Sequence, residues 1–221
     1  MRTIVYVDGF NLYYRLLQKH PHLKWLNPKR LAEEVLNPQN DVRGVRYYTA
    51  NISGRTDPTA PARQQTYLNA LASIPEISVH RGTFLSAQKF AALVHPPEFR
   101  PPQQGQLLEP WPSVVKIHKT EEKGSDVNLA CHMLLDAFED KYDVAAVISN
   151  DSDLIEPIRI ATVKLGRIVG LLTPVANPNP GLRSVSTFVR RLHPAHLASA
   201  QFPDRIELPD GSEISRPESW T

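Results

Sequence analysis

Two runs in this chain, Ile4-Val5-Tyr6-Val7 and Val144-Ala145-Ala146-Val147-Ile148, are apolar at every position. Both are too short for an ordinary helix, and an unbroken apolar run of this kind marks a strand buried on both faces. Such a strand needs helices above and below its sheet. The rest of the chain offers them. Further strands are expected at Val42–Ala50, Ile77–Phe84, Ser113–Lys119 and Arg167–Leu172. A helix-like segment begins near Asn11, and a second follows an Asn27 N-cap with Pro28 in its first turn. Others are expected over Ala62–Ser73, Asp126–Glu139, Leu154–Leu165 and Ser184–Leu192, with Tyr67, Leu68, Leu71 and Ile74 on one face of the first. Strands alternating with connections of helix length give an α/β fold, a three-layer, mostly parallel sheet of Rossmann-like type with helices on both faces.

A length of 221 residues suits one domain, taken as residues 1–195, with a C-terminal arm over 196–221. The arm reads as a hairpin turning at Asp210-Gly211. Residues 96–112 hold six of the 20 prolines and read as a surface insert. With 41% hydrophobic residues and a net charge of +2, disorder of the whole chain is excluded. The single cysteine, Cys131, excludes an internal disulfide and a zinc site built on several thiolates. Nothing approaches the ~20 apolar residues of a bilayer span. Arg2 and Asp8 bracket the first apolar run, which is therefore not read as a signal peptide. A cytoplasmic location without membrane association is the expectation. Nothing in the sequence excludes a homo-oligomer, and a pI near 8.7 permits an anionic partner.

In sheets of this type the working residues lie at the carboxyl ends of the strands. Asp8 ends the first strand. Asp151 and Asp153 follow the Val144–Ile148 strand in the turn Ser149-Asn150-Asp151-Ser152-Asp153. Asp126 opens a helix whose N-terminus falls at the same edge if that helix feeds the Val144 strand. Each acid alone has an ordinary reading as a helix cap or first-turn residue. Converging together, they repel one another unless some are protonated or a cation neutralises them. An all-oxygen donor set suits Mg²⁺ or Mn²⁺ rather than zinc. Such ions activate water and stabilise the leaving oxygen in phosphodiester hydrolysis.

Three segments carry a family resemblance: Val7-Asp8-Gly9-Phe10-Asn11-Leu12, Glu122-Lys123-Gly124-Ser125-Asp126-Val127-Asn128-Leu129-Ala130 and Ser149-Asn150-Asp151-Ser152-Asp153-Leu154. Together they resemble the NYN domain family of PIN-like nucleases, in its LabA-like branch, over roughly residues 1–193. The resemblance implies a PIN-like sheet with central, neighbouring first and fourth strands, and a Mg²⁺- or Mn²⁺-dependent ribonuclease acting on RNA. It also implies metal-binding roles for Asp8, Asp126 and Asp151, with Asp153 as fourth acid. Asn11 would orient a water or phosphate, and Ser149 would hold the acidic turn. Asn150 stands where the family most often has glycine.

Other residues are candidates for substrate contact. Lys116, His118, Lys119 and Lys123 make the segment before Asp126 basic, and Lys119 and Lys123 are candidates for the phosphate backbone. Arg55 and Arg63 flank another carboxyl-edge loop and are candidates of the same kind. Tyr13, Tyr14, Tyr47, Tyr48 and Trp111 can stack bases, although core packing is the default for tyrosines in regular elements. Cys131 reads as a buried small hydrophobe. Two competing functions remain: a non-catalytic domain that binds RNA or a protein partner, and a different doubly wound enzyme. The second lacks support, since no Gly-x-Gly-x-x-Gly follows the first strand.

Overall fold

The computed structural model describes residues 1–55, 57–98 and 110–221. Seven strands among these residues form one sheet: β1 (Arg2–Asp8), β2 (Asp41–Ala50), β3 (Ile77–Ala92), β4 (Val114–Lys123), β5 (Val144–Ile148), β6 (Ile168–Thr173) and β7 (Phe188–Arg191). Their spatial order is β4-β3-β2-β1-β5-β6-β7. Every pairing is parallel except β3 with β4. The mostly parallel α/β sheet is therefore as the sequence predicts. The neighbour of β1 is the fifth strand in chain order rather than the fourth, because the β3–β4 ribbon adds one.

Alternation along β1 builds the two cores. Val5 and Val7 face one side, with Leu31 and Ala32 of α2 (Pro28–Val35), Leu68 and Leu71 of α3 (Ala60–Ala72) and Leu197 near the C-terminus. Ile4 and Tyr6 face the other, with Leu129 and Met133 of the 125–138 helix and Ile158 of the 155–159 helix. Short helices follow β1 (α1, Gly9–Leu12) and β6, so that the long helix Ser125–Phe138 is α4, Ile155–Arg159 is α5, Pro180–Val185 is α6 and Pro194–Ser199 is α7.

The chain after α7 forms the hairpin β8 (Arg205–Glu207) and β9 (Glu213–Ser215). Phe202 and Trp220 pack into the core around Trp25, whose indole N–H donates to the Pro203 carbonyl at 2.8 Å.

Three sequence expectations need correction. The helix expected over Ser184–Leu192 is instead α6, capped by Asn179, followed by the strand β7. The absence of a side chain on Gly170 makes room for the Phe188 ring, which a Cβ there would meet at 2.1 Å. That contact docks the segment as an edge strand. The third strand does not stop at Phe84. Beyond Gly82 it leaves β2 and pairs antiparallel with β4, from Thr83 opposite Lys123 to Ala92 opposite Val114. The strand expected at Ser113–Lys119 accordingly runs on to Lys123. Of the proline-rich segment 96–112, residues 99–109 lie outside the described residues. Among the described residues, no helix is long and apolar enough to cross a membrane.

From β1 the chain moves outward through β2 and β3, then returns to place β5 on the other side of β1. This is the switch point, where crevices open at the strand carboxyl ends.

Candidate active site

Asp8, Asn11, Ser149 and Asp151 are tied into one polar lattice at that switch point. Asp8 caps α1: its Oδ1 accepts the Asn11 backbone N–H at 2.9 Å, so Asp8 rather than Asn11 starts this helix. Its Oδ2 accepts the Ser149 hydroxyl at 2.8 Å. Ser149 Oγ in turn accepts the Asp151 backbone N–H at 3.1 Å, and the Asn11 side-chain oxygen accepts the Asn150 N–H at 3.1 Å. The ends of β1 and β5 are thus fixed to each other by side chains.

On the other side of β1, Gly9 permits a close approach to β2, since a Cβ there would lie 2.6 Å from the Tyr48 carbonyl oxygen. Asn150 needs no glycine-like backbone, its φ being negative. Its side-chain oxygen accepts the Asn179 N–H at 2.8 Å, tying the acidic turn to the start of α6. Nothing in the local sequence signalled that link, which spans 29 residues.

Asp8, Asp126 and Asp151 line one open pocket of about 570 Å³, together with Asn11, Phe10, Tyr14, Arg15, Phe84, Glu122 and Ser125. Asp126 sits in the first turn of α4 with its Oδ1 on the Val127 N–H at 2.9 Å. Glu122, from the end of β4, accepts from Ser125 N–H at 3.1 Å and Ser125 Oγ at 2.8 Å. Sequence reading passed over Glu122, although its place four residues before Asp126 was a usable signal. Arg15, Phe10 and Phe84 were also missed.

Asp153 does not line this pocket. It is exposed, and its backbone N–H is held by Asp151 Oδ1 at 3.1 Å. Lys119 and Lys123 lie on the exposed β4 ribbon, 2.7 and 3.7 Å from Glu121. Arg63 lines a second cavity and pairs with Asp57 at 2.5 Å, while Arg55 is exposed and lines neither. Cys131 is exposed, not buried.

No ion pair among the described residues involves Asp8, Asp126, Asp151 or Glu122. Burial pushes the Asp8 carboxyl above the ordinary aspartate range, against the two hydrogen bonds it accepts, and the charges of Asp151 and Asp126 push it the same way. Among the described residues, no three His, Cys, Asp or Glu side chains are gathered tightly enough to grip one ion as they stand. The donor chemistry nonetheless fits a hard divalent cation: the groups are carboxylates from three chain segments, and they repel one another without a counter-charge.

The sequence profile of the NYN domain matches residues 2–190. The chain belongs to the NYN domain family. Membership supports a PIN-like, nuclease-like reading of the chain. This NYN domain is 26% identical over 249 residues to 6-hydroxy-3-succinoylpyridine 3-monooxygenase HspA of Pseudomonas putida (strain DSM 28022 / S16), a match covering 100% of the present chain and 75% of that protein. Among solved structures it is similar to VPA0982 of Vibrio parahaemolyticus RIMD 2210633, a protein of unknown function. That match has a TM-score of 0.50 and 13% identity, and covers 87% of this chain and 93% of the other. It speaks for the fold alone.

Proposed function

We propose that this NYN domain is a divalent-metal-dependent ribonuclease that hydrolyses RNA phosphodiester bonds at the Asp8–Asp126–Asp151 pocket. The observation that carries the reading is the arrival of three carboxylates, from three separate segments, in one open pocket, none of them in an ion pair among the described residues. Asp8, Asp126 and Asp151 would hold Mg²⁺ or Mn²⁺, with Glu122 better placed than Asp153 as the fourth acid. When bound, such an ion supplies positive charge for the scissile phosphate and lowers the pKa of water.

The protein's own residues do the positioning. Ser149 and the Asn11 N–H hold the two Asp8 oxygens in fixed directions, so Asp8 cannot rotate away from the pocket. Arg15 lies in the wall and can meet a phosphate oxygen. Lys89, Lys119 and Lys123 all converge on Glu121, leaving excess positive charge on the ribbon beside the pocket for the RNA backbone.

The test is cleavage of end-labelled single-stranded and hairpin RNAs with Mn²⁺, with Mg²⁺ and with chelator, beside an Asp151→Asn control. Metal-dependent cutting that disappears in the control is expected. Tight RNA binding without cutting under either metal would instead select a non-catalytic RNA-binding domain.

One comparison favours a second reading. The relative named a monooxygenase aligns with the whole of this chain, so a heteroaromatic acid is the competing substrate class. Hydroxylation would consume O₂ and a two-electron reductant. Incubating the protein with 6-hydroxy-3-succinoylpyridine, O₂ and such a reductant, and finding a hydroxylated product by mass spectrometry, would select it.

A further inference from the structure

Beside the carboxylate pocket lies a second cavity of about 550 Å³, within the size range of small-molecule sites. Its walls include Tyr13, Tyr14, Tyr47, Tyr67 and Trp220, brought together from α1's continuation, β2, α3 and the C-terminus. Phe10 and Tyr14 belong to both cavities, with ring centroids 6.3 Å apart and planes 19° from parallel. Tyr14 is 59% exposed, which is not the burial of a packing residue.

Most of the polar wall is already engaged. Gln64 donates to the Ala50 carbonyl at 2.9 Å and accepts the Ile52 N–H at 3.0 Å. The Tyr67 hydroxyl donates to the Leu26 carbonyl at 2.8 Å. Arg63 is held by Asp57 and Thr59. Lys24 is different. Its ammonium stands 5.4 Å from the centre of the Tyr13 ring and forms no ion pair among the described residues. Burial and the nearby charge of Arg63 disfavour its protonated form, with Asp57 on the same wall opposing, and a bound anion would offset the remaining cost.

We propose that this cavity binds a planar heteroaromatic ring carrying an anionic group, the ring held by the aromatic walls and the anion by Lys24. Stacking against aromatic side chains tolerates any flat ring, while a single ammonium selects for negative charge without demanding a particular geometry. In the ribonuclease reading, on which this assignment builds, the ligand is a nucleotide next to the scissile phosphate, since the Phe10–Tyr14 wall separates it from Asp8 and Asp151. A free heteroaromatic acid presents the same chemistry.

Calorimetric titration of the full chain without divalent ions tests the assignment. The probes are adenosine 5′-monophosphate and nicotinate, which carry ring and anion, adenosine with the ring alone, and ribose 5-phosphate with the anion alone. At least one of the first two should bind about tenfold tighter than either half-molecule. Lys24→Met, which keeps the apolar stem, should erase that advantage and leave adenosine affinity unchanged. Tyr14→Ala, at an exposed wall, should weaken adenosine as well.

Preference for the nucleotide or for nicotinate identifies the source of the ligand. Equal affinity for whole and half-molecules, or undiminished binding in both folded variants, overturns the proposal. Because no metal is present, loss of RNA cleavage and loss of this binding are separate results.

Discussion

Asp8 and Asp136 are both carboxylates withdrawn from water beside the central strands, and they are treated in opposite ways. Asp136, on α4 and 1% exposed, receives the Arg46 guanidinium on Oδ1 at 2.6 Å and the Tyr6 hydroxyl on Oδ2 at 2.7 Å, with Lys141 at 3.5 Å. Among the described residues, Asp8 receives only neutral donors, and it faces two other acids. A buried charge with its counter-ion in place belongs to the architecture. One whose neighbours worsen its position is set for a ligand of opposite charge. The contrast marks Asp136 as a structural acid and supports the proposed role of Asp8 without reference to any relative.

The strongest way to break the contrast is to neutralise both kinds of acid and their partners. Asp8→Asn and Asp151→Asn should each lower Mn²⁺-dependent RNA cleavage by about a thousandfold or more, the scale of several kcal/mol of lost charge stabilisation. Asp8→Asn should nevertheless leave the metal-free protein as stable as the parent or more so. Asparagine keeps an acceptor for the Asn11 N–H, and the like-charge repulsion is gone. Added Mn²⁺ should raise the melting temperature of the parent but not of either variant. A variant that cleaves normally, or a parent indifferent to Mn²⁺, would remove Asp8 from the functional side of the comparison.

On the structural side, Arg46→Ala should cost about 3 kcal/mol in urea unfolding, because it strands Asp136 without its main counter-charge. Pairing it with Asp136→Asn should recover part of that loss. Cleavage per folded molecule should change little. A thousandfold rate loss in Arg46→Ala with stability intact would show that the two acids do not divide as described.

A milder effect is expected at the basic ribbon. Removing Lys119 and Lys123 together should raise KM for RNA by about fivefold with kcat unchanged, reduce the salt dependence of binding, and do so for all sequences alike. Loss of kcat instead would move these lysines into the reacting centre.

What was legible in the sequence follows the same physical division. Strand ends fix the acids, so Asp8, Asp126 and Asp151 could be placed at one edge from apolar runs and helix starts alone. Glu122 could be placed near Asp126 by its spacing but not aimed at the pocket, because its direction depends on β3 leaving β2 at Gly82 to form an antiparallel ribbon with β4. Arg46 and Asp136 are 90 residues apart, and their pairing follows only from α4 crossing β2. Phe188 was misread as helical because the space it fills lies on another strand, at Gly170. The second cavity was illegible for a like reason. Trp220 reaches it only because the C-terminal segment returns to Trp25.

The smallest effect concerns acid stability and tests whether the two sides of the comparison titrate separately. His80 stacks on Tyr48, and its ring centroid lies 4.6 Å from that of His132, a pairing that the scattered histidines of the sequence did not announce. Burial first, then the charges of His132 and Arg46, lower the His80 pKa to about 4, with Asp136 opposing. The unfolded chain therefore takes up its proton first as pH falls below the ordinary histidine value near 6.5. Stability should decline between about pH 6.5 and pH 4 and level off once the folded ring also protonates. The residue is only partly buried, so solvent screening holds the loss to roughly 1 kcal/mol or less. His80→Gln should flatten this slope in urea unfolding. Cleavage at limiting Mn²⁺ should instead fall with pH because protons compete with the cation for Asp8, whose carboxyl in the metal-free protein holds a proton more readily than an ordinary aspartate, and that limb should be unchanged in His80→Gln. A variant that shifts the limb and the stability slope together would show the two acid environments to be one coupled system.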